Sequence, residues 1–154
     1  MTARKRSTTQ AQVGVPPSRL VRGVRPTVEH ARELLDVARK ELAHAGGDIT
    51  AVRQAAEKGW LAATTAGRHV VACATNERVP ASRGLLPRLQ QIEQRYDPSL
   101  PLSSALNTLQ DVLHGACFYR GDRELCRDVA PKLNVVERAI KDADALCGRV
   151  RKGK

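Results

Sequence analysis

With 154 residues the chain can bury one core and is short for two. Only 3% of its residues are aromatic and its apolar content is rich in Ala, Leu and Val, which argues against strand-rich folds and for closely packed helices. A formal charge of +10 directs attention to acidic partners, and no apolar run reaches membrane-spanning length, so no membrane role is expected.

The basic excess is uneven. Arg4, Lys5, Arg6, Arg19, Arg22 and Arg25 precede Thr27 with no acid among them, and Arg149, Arg151, Lys152 and Lys154 crowd the other end. Residues 1–26 are expected to form a disordered basic arm, 27–150 a helical bundle and 151–154 a basic tail. Cations without interleaved aromatic rings suit weak, nonspecific contact with nucleic-acid phosphates, or solubility alone.

Thr27 can cap a first helix in which Ala31, Leu34, Leu35, Ala38 and Leu42 recur at helical spacing. Gly46-Gly47 stops it, and Asp48 can cap a long second helix lined on one side by Ile49, Val52, Ala56, Trp60, Ala63, Val70 and Ala74. Gly59 and Gly67 weaken that helix intrinsically and predict close approach of its neighbours. Arg53 and Glu57 are spaced to pair across one turn, and Trp60 reads as a core anchor. Pro80 and Gly84 mark a loop before a shorter helix carrying Leu85, Leu89, Ile92 and Tyr96, which Asp97-Pro98 ends.

The segment PLSSALNTLQDVLHGACFY, from Pro101 to Tyr119, reads as one amphipathic α-helix with a serine pair fit to cap it. Leu106, Leu109, Leu113 and Ala116 form its apolar stripe. Along one edge of the stripe run Asn107, Gln110, Asp111 and His114, with Phe118 and Tyr119 beyond. That flank is a candidate binding surface, or else the wet margin of a buried face in which His114 bonds Asp111 one turn back. Gly121-Asp122 closes the segment. A last helix, with Pro131 in its first turn, carries Val129, Leu133, Val136, Ile140, Ala143, Cys147 and Val150 at alternating spacings of four and three. The sum is an all-α, up-and-down bundle of about five helices.

Cys73, Cys117, Cys126 and Cys147 contain no CxxC pair, so they are expected to be small buried hydrophobes in a reducing cytoplasm. His114 and Cys117, three residues apart, could share an ion, but neither a metal nor a cofactor is expected.

Two segments together resemble the HEPN superfamily, in particular the archaeal PaREP-type bundles. AAEKGWLAATTAGRHVVA (Ala55–Ala72) is similar to the central second helix of that group, and LNTLQDVLHGACFYRG (Leu106–Gly121) to its late helix with a Leu-His pair followed by Phe-Tyr. The resemblance spans roughly residues 27–150 and implies a helical bundle, often dimeric. Many HEPN proteins are metal-independent ribonucleases, toxins or defence effectors. They place an Arg ahead of the His with four to six residues between the two, so that imidazole moves a proton at the RNA 2′-hydroxyl while guanidinium stabilises phosphorane charge. His114 matches the family histidine, but Asn107, Thr108 and Leu109 stand where the Arg would be, and none is cationic.

Three functions follow as expectations. The first is a non-catalytic HEPN-like module that binds a protein partner, as homodimer or heteromer, or nucleic acid, for instance in a toxin–antitoxin or defence system. The second is a ribonuclease in which His114 works with an Arg outside the motif, Arg120 or Arg123 being nearest in sequence. The third is a structural helical module tethered by its basic tails.

Overall fold

The computed structural model describes residues 25–76 and 84–153. Helix α1 (Val28–His44) leads to the long α2 (Ile49–Thr75), then α3 (Leu85–Tyr96). Helix α4 (Leu102–Leu109) continues directly as a π-helical segment, Gln110–Tyr119, followed by the short α5 (Arg123–Cys126) and by α6 (Val129–Lys152). The fold is an all-α bundle, and among the described residues no helix is long and apolar enough to cross a membrane.

The punctuation in the sequence acts as its chemistry dictates. The Thr27 side chain accepts the His30 N–H, and Asp48 accepts that of Thr50, each satisfying a donor that the first turn leaves unpaired. Between the two caps, Gly46 and Gly47 take positive φ, which turns α1 back along α2. Pro80 and the arm, including Arg4, Lys5, Arg6, Arg19 and Arg22, lie outside the described residues.

Helix α2 is the central element and contacts every other helix of the bundle. The expected one-sided stripe is too narrow a description, because Ala62 through Gly67 are buried in unbroken succession. Alanine, threonine and glycine make this stretch thin enough for neighbours to close around it. A Cβ on Gly59 would lie 2.5 Å from Leu133 Cδ2, and one on Gly67 would lie 2.9 Å from Leu106 Cδ2. Both glycines therefore mark close helix approach. The α6 seam expected from Val129 to Val150 is buried along its whole length, and Trp60, 4% exposed, anchors the core. Surface ion pairs tie α1 to its neighbours: Arg39 reaches Glu137 at 2.7 Å, Arg32 reaches Asp144 at 3.3 Å, and Lys58 pairs with Glu41. The Arg39 bond holds the Glu137 carboxyl below the usual carboxylate range.

Four expectations need correction. The Ser103-Ser104 pair does not cap α4. Pro101 stands at the cap position, and the Glu93 carboxylate of α3 accepts both the backbone N–H and the hydroxyl of Ser103. The long late helix is not α-helical throughout, since its second half is π-helical. Asp122 starts a further short helix, accepting the N–H groups of Glu124 and Leu125. Finally, the cysteines are paired rather than free: Cys73–Cys147 joins α2 to α6, and Cys117–Cys126 joins the π segment to α5. Disulfides persist in oxidising compartments or serve redox roles, so the cysteines lend no support to a reducing location.

Candidate binding site around His114

The change of helix type explains what surrounds His114. In α-helix the neighbours across one turn lie three and four residues away; i→i+5 bonding moves them to four and five. Asp111, three residues back, thereby loses its place beside the ring. Phe118, four residues on, keeps a place beside it and Tyr119, five residues on, gains one: their ring centroids lie 6.1 Å and 4.7 Å from that of His114, the first stacked and the second edge-on. Such ring pairs add roughly 0.5–1.5 kcal/mol beyond area burial.

The carboxylate partner comes from another helix. Glu57 Oε2 of α2 lies 2.8 Å from His114 Nδ1. An ionised carboxylate can only accept, so Nδ1 carries the proton, and in the neutral ring the lone pair resides on Nε2. Trp60, one turn along α2 from Glu57, closes the other side with its ring centroid 5.7 Å from that of His114. The His114 and Glu57 side chains keep 26% and 23% of their exposure, so the pair is reached by solvent.

Arg53 is not paired with Glu57 as the spacing predicts. Its Nε donates to the Phe118 carbonyl at 2.8 Å and its Nη2 to that of Tyr119 at 3.5 Å. A guanidinium across the carbonyl end of a helix satisfies acceptors and opposes the negative end of the dipole. The turn beyond is closed by Gly121 at φ +62°, whose N–H bonds the Cys117 carbonyl while that of Asp122 bonds Ala116. Arg53, Glu57 and Trp60 thus recur on one face of α2, Arg53 holding the end of the π segment and the other two the His114 side chain.

The candidate residues are not all brought together. His114, Phe118 and Tyr119 form one cluster, with Tyr119 66% exposed at its rim. Asn107 lies apart, lining a shallow groove with Leu86, Pro87, Gln90, Ser103 and Ser104 between α3 and α4. Gln110 is half-buried and Asp111 exposed, and neither is the partner of His114. Arg120 is exposed just past Tyr119. Arg123 lines a different groove, with Leu42, Ile49, Val52 and Cys126. Arg25 is exposed beside Pro26.

Glu57, Trp60 and Arg53 are the site residues that the sequence reading missed as such. Their i, i+4 and i+7 spacing on α2 was a usable signal, but it was spent on an internal pair and a core anchor. Comparison with known proteins adds no relative: no family model, curated protein or solved structure matches the chain.

Proposed function

We propose that the protein is a non-catalytic, HEPN-like helical module that acts by binding a protein partner through the surface around His114. The observation that carries the reading is the disposition of charge at the histidine. His114 bonds a carboxylate, Glu57, and the guanidinium nearest to it along the same helix, Arg53, is committed to the Phe118 and Tyr119 carbonyls. A phosphoryl-transfer site needs a cation where phosphorane charge develops; here the fixed neighbours of the imidazole are an acid and three aromatic rings. Exposed Tyr119 and the exposed Leu61, one turn beyond Glu57 on α2, supply amphipathic and apolar contacts of the kind that protein interfaces use. The partner belongs to the same functional locus, as in a toxin–antitoxin or defence pair, or is a second copy of the chain.

One observation favours the ribonuclease reading instead. The Glu57 bond fixes the tautomer that leaves Nε2 as a proton acceptor, the arrangement in which a carboxylate orients a general base. The two readings separate cleanly. Purified protein is expected to cleave single-stranded RNA no faster than a His114→Ala control, while Tyr119→Ala weakens co-purification with the product of a neighbouring gene, or dimerisation, by tenfold or more. RNA cleavage that is abolished by His114→Ala sinks the non-catalytic reading, and Arg120→Ala would then test the missing cation.

A further inference from the structure

A second cluster lies at the other end of α2, about 18 Å along the helix axis from Glu57 at 1.5 Å per residue, and stands independently of the His114 surface. His69 and Cys73 are four residues apart on one face of α2, and Cys147 faces them from α6. The His69 nitrogens and the two sulfurs include ligand atoms all within 4.8 Å of one another. We propose that reduction of the Cys73–Cys147 disulfide converts this cluster into a binding site for a thiophilic divalent cation of the Zn²⁺ type, held by both thiolates and by His69 Nε2.

Three features carry the assignment. First, His69 Nδ1 lies 3.0 Å from the Pro26 carbonyl oxygen. A carbonyl can only accept, so Nδ1 carries the proton and the neutral ring presents its Nε2 lone pair; metal-ligating histidines are oriented by such an outer bond. Second, His69 Nε2 lies 3.6 Å from Cys73 Sγ. With Zn–S of about 2.3 Å and Zn–N of about 2.0–2.1 Å, the edge between sulfur and nitrogen in a tetrahedron is also about 3.6 Å. One edge of the polyhedron is thus already in place. Third, the cluster opens onto a pocket of about 300 Å³ lined by Arg25, Pro26, Thr27, Ala72, Asn76 and Arg151, which gives an ion a way in and leaves a fourth position for water.

The chemistry balances with a dithiol reductant. Two electrons and two protons from the dithiol reduce the Cys73–Cys147 bond to two thiols, and the dithiol becomes a disulfide. Binding of the cation then releases both thiol protons, leaving a site of two thiolates, a neutral imidazole and a divalent ion with no net charge. Arg151 Nη2, 3.8 Å from Cys73 Sγ, favours the thiolate before the ion arrives. A disulfide oxidant reverses the sequence: it takes two electrons from the thiolates and two protons from water to become a dithiol, the Cys73–Cys147 bond re-forms and the ion leaves, so a metal site and a disulfide alternate at one place. The Cys117–Cys126 pair has no histidine in a comparable cluster among the described residues, and it provides an internal control.

The test is titration of full-length protein with Co²⁺ alone, with and without prior reduction by a phosphine. Reduced protein is expected to bind one equivalent and to show the visible bands of tetrahedral cobalt with sulfur-to-metal charge transfer; oxidised protein is expected to show neither. His69→Ala should weaken binding at least tenfold, Cys147→Ser should abolish it, and the Cys117→Ser/Cys126→Ser double variant should keep it. Circular dichroism of each variant separates loss of ligand from loss of fold, and His69→Ala, at a half-buried position, remains decisive where Cys147→Ser does not fold. The proposal is overturned if reduced protein binds no cobalt, if oxidised protein binds equally well, if His69→Ala binds as tightly as the unaltered chain, or if a folded Cys117→Ser/Cys126→Ser variant loses binding.

Discussion

Gly59, Gly67 and Gly148 occupy helix interiors for different reasons, and the surroundings of the missing Cβ tell them apart. At Gly59 a methyl group would lie 2.5 Å from Leu133 Cδ2 and 3.3 Å from Leu113 Cδ1, both leucines fully buried. At Gly148 it would meet nothing within 4 Å. Alanine gains up to about 1 kcal/mol over glycine in a helix, whereas overpacking a filled core costs about 1–3 kcal/mol. Gly148→Ala is therefore expected to raise unfolding stability by about 0.5–1 kcal/mol. Gly59→Ala should lower it by a net of up to about 2 kcal/mol. Urea unfolding of the two variants side by side checks this, and equal stabilisation by both would contradict the close packing of α2 on α6.

At the scale of elements, the π segment is held at its C-terminal end by groups from outside itself. Arg53 of α2 takes up its last carbonyls, and the Cys117–Cys126 bond ties it to α5. The π geometry is the less favourable form of helix and occurs where side chains must be re-aimed, frequently at functional sites; here it puts Tyr119, rather than Asp111, against His114. The two disulfides differ in reach. Cys117 and Cys126 are separated by 9 residues, Cys73 and Cys147 by 74, so loop closure assigns about 2–3 kcal/mol to the first and about 4 kcal/mol to the second. Cys117→Ser/Cys126→Ser is expected to lower stability by that smaller amount and to speed amide hydrogen exchange selectively within residues 110–119. Unchanged exchange there would mean that the bond does not hold the π segment.

Across the whole molecule, charge and fold are separable. The core is built by α1, α2, α3, α4, the π segment and α6, while Arg4, Lys5, Arg6, Arg19, Arg22 and Arg25 precede the first capping residue without a single acid. Any affinity for nucleic acid is expected to depend on these six cations, to fall steeply with salt and to ignore sequence. A protein truncated to begin at Pro26 should lose most of that affinity and unfold at nearly the same temperature. Tight binding of one defined oligonucleotide by the truncated chain at physiological salt would move the site onto the bundle.

The sequence by itself determined the all-α class, the caps at Thr27 and Asp48, the α6 seam, and the reason for Gly59 and Gly67. All of these depend on local backbone chemistry or on the period of a single helix, which a linear pattern records. Tertiary structure decided the rest. The α-helical period misplaced the flank of His114, because a π turn is imposed by what packs around it and leaves no distinctive spacing. The partner of His114 is Glu57, 57 residues away, and the donor to the π segment's final carbonyls is Arg53, 65 and 66 residues from them. Cysteine pairing was hidden for the same reason: Cys73 and Cys147 meet because α2 and α6 pack side by side, a juxtaposition that no spacing along one helix encodes. Contacts within a turn are written in the sequence, whereas contacts between helices exist once the core has set which faces meet.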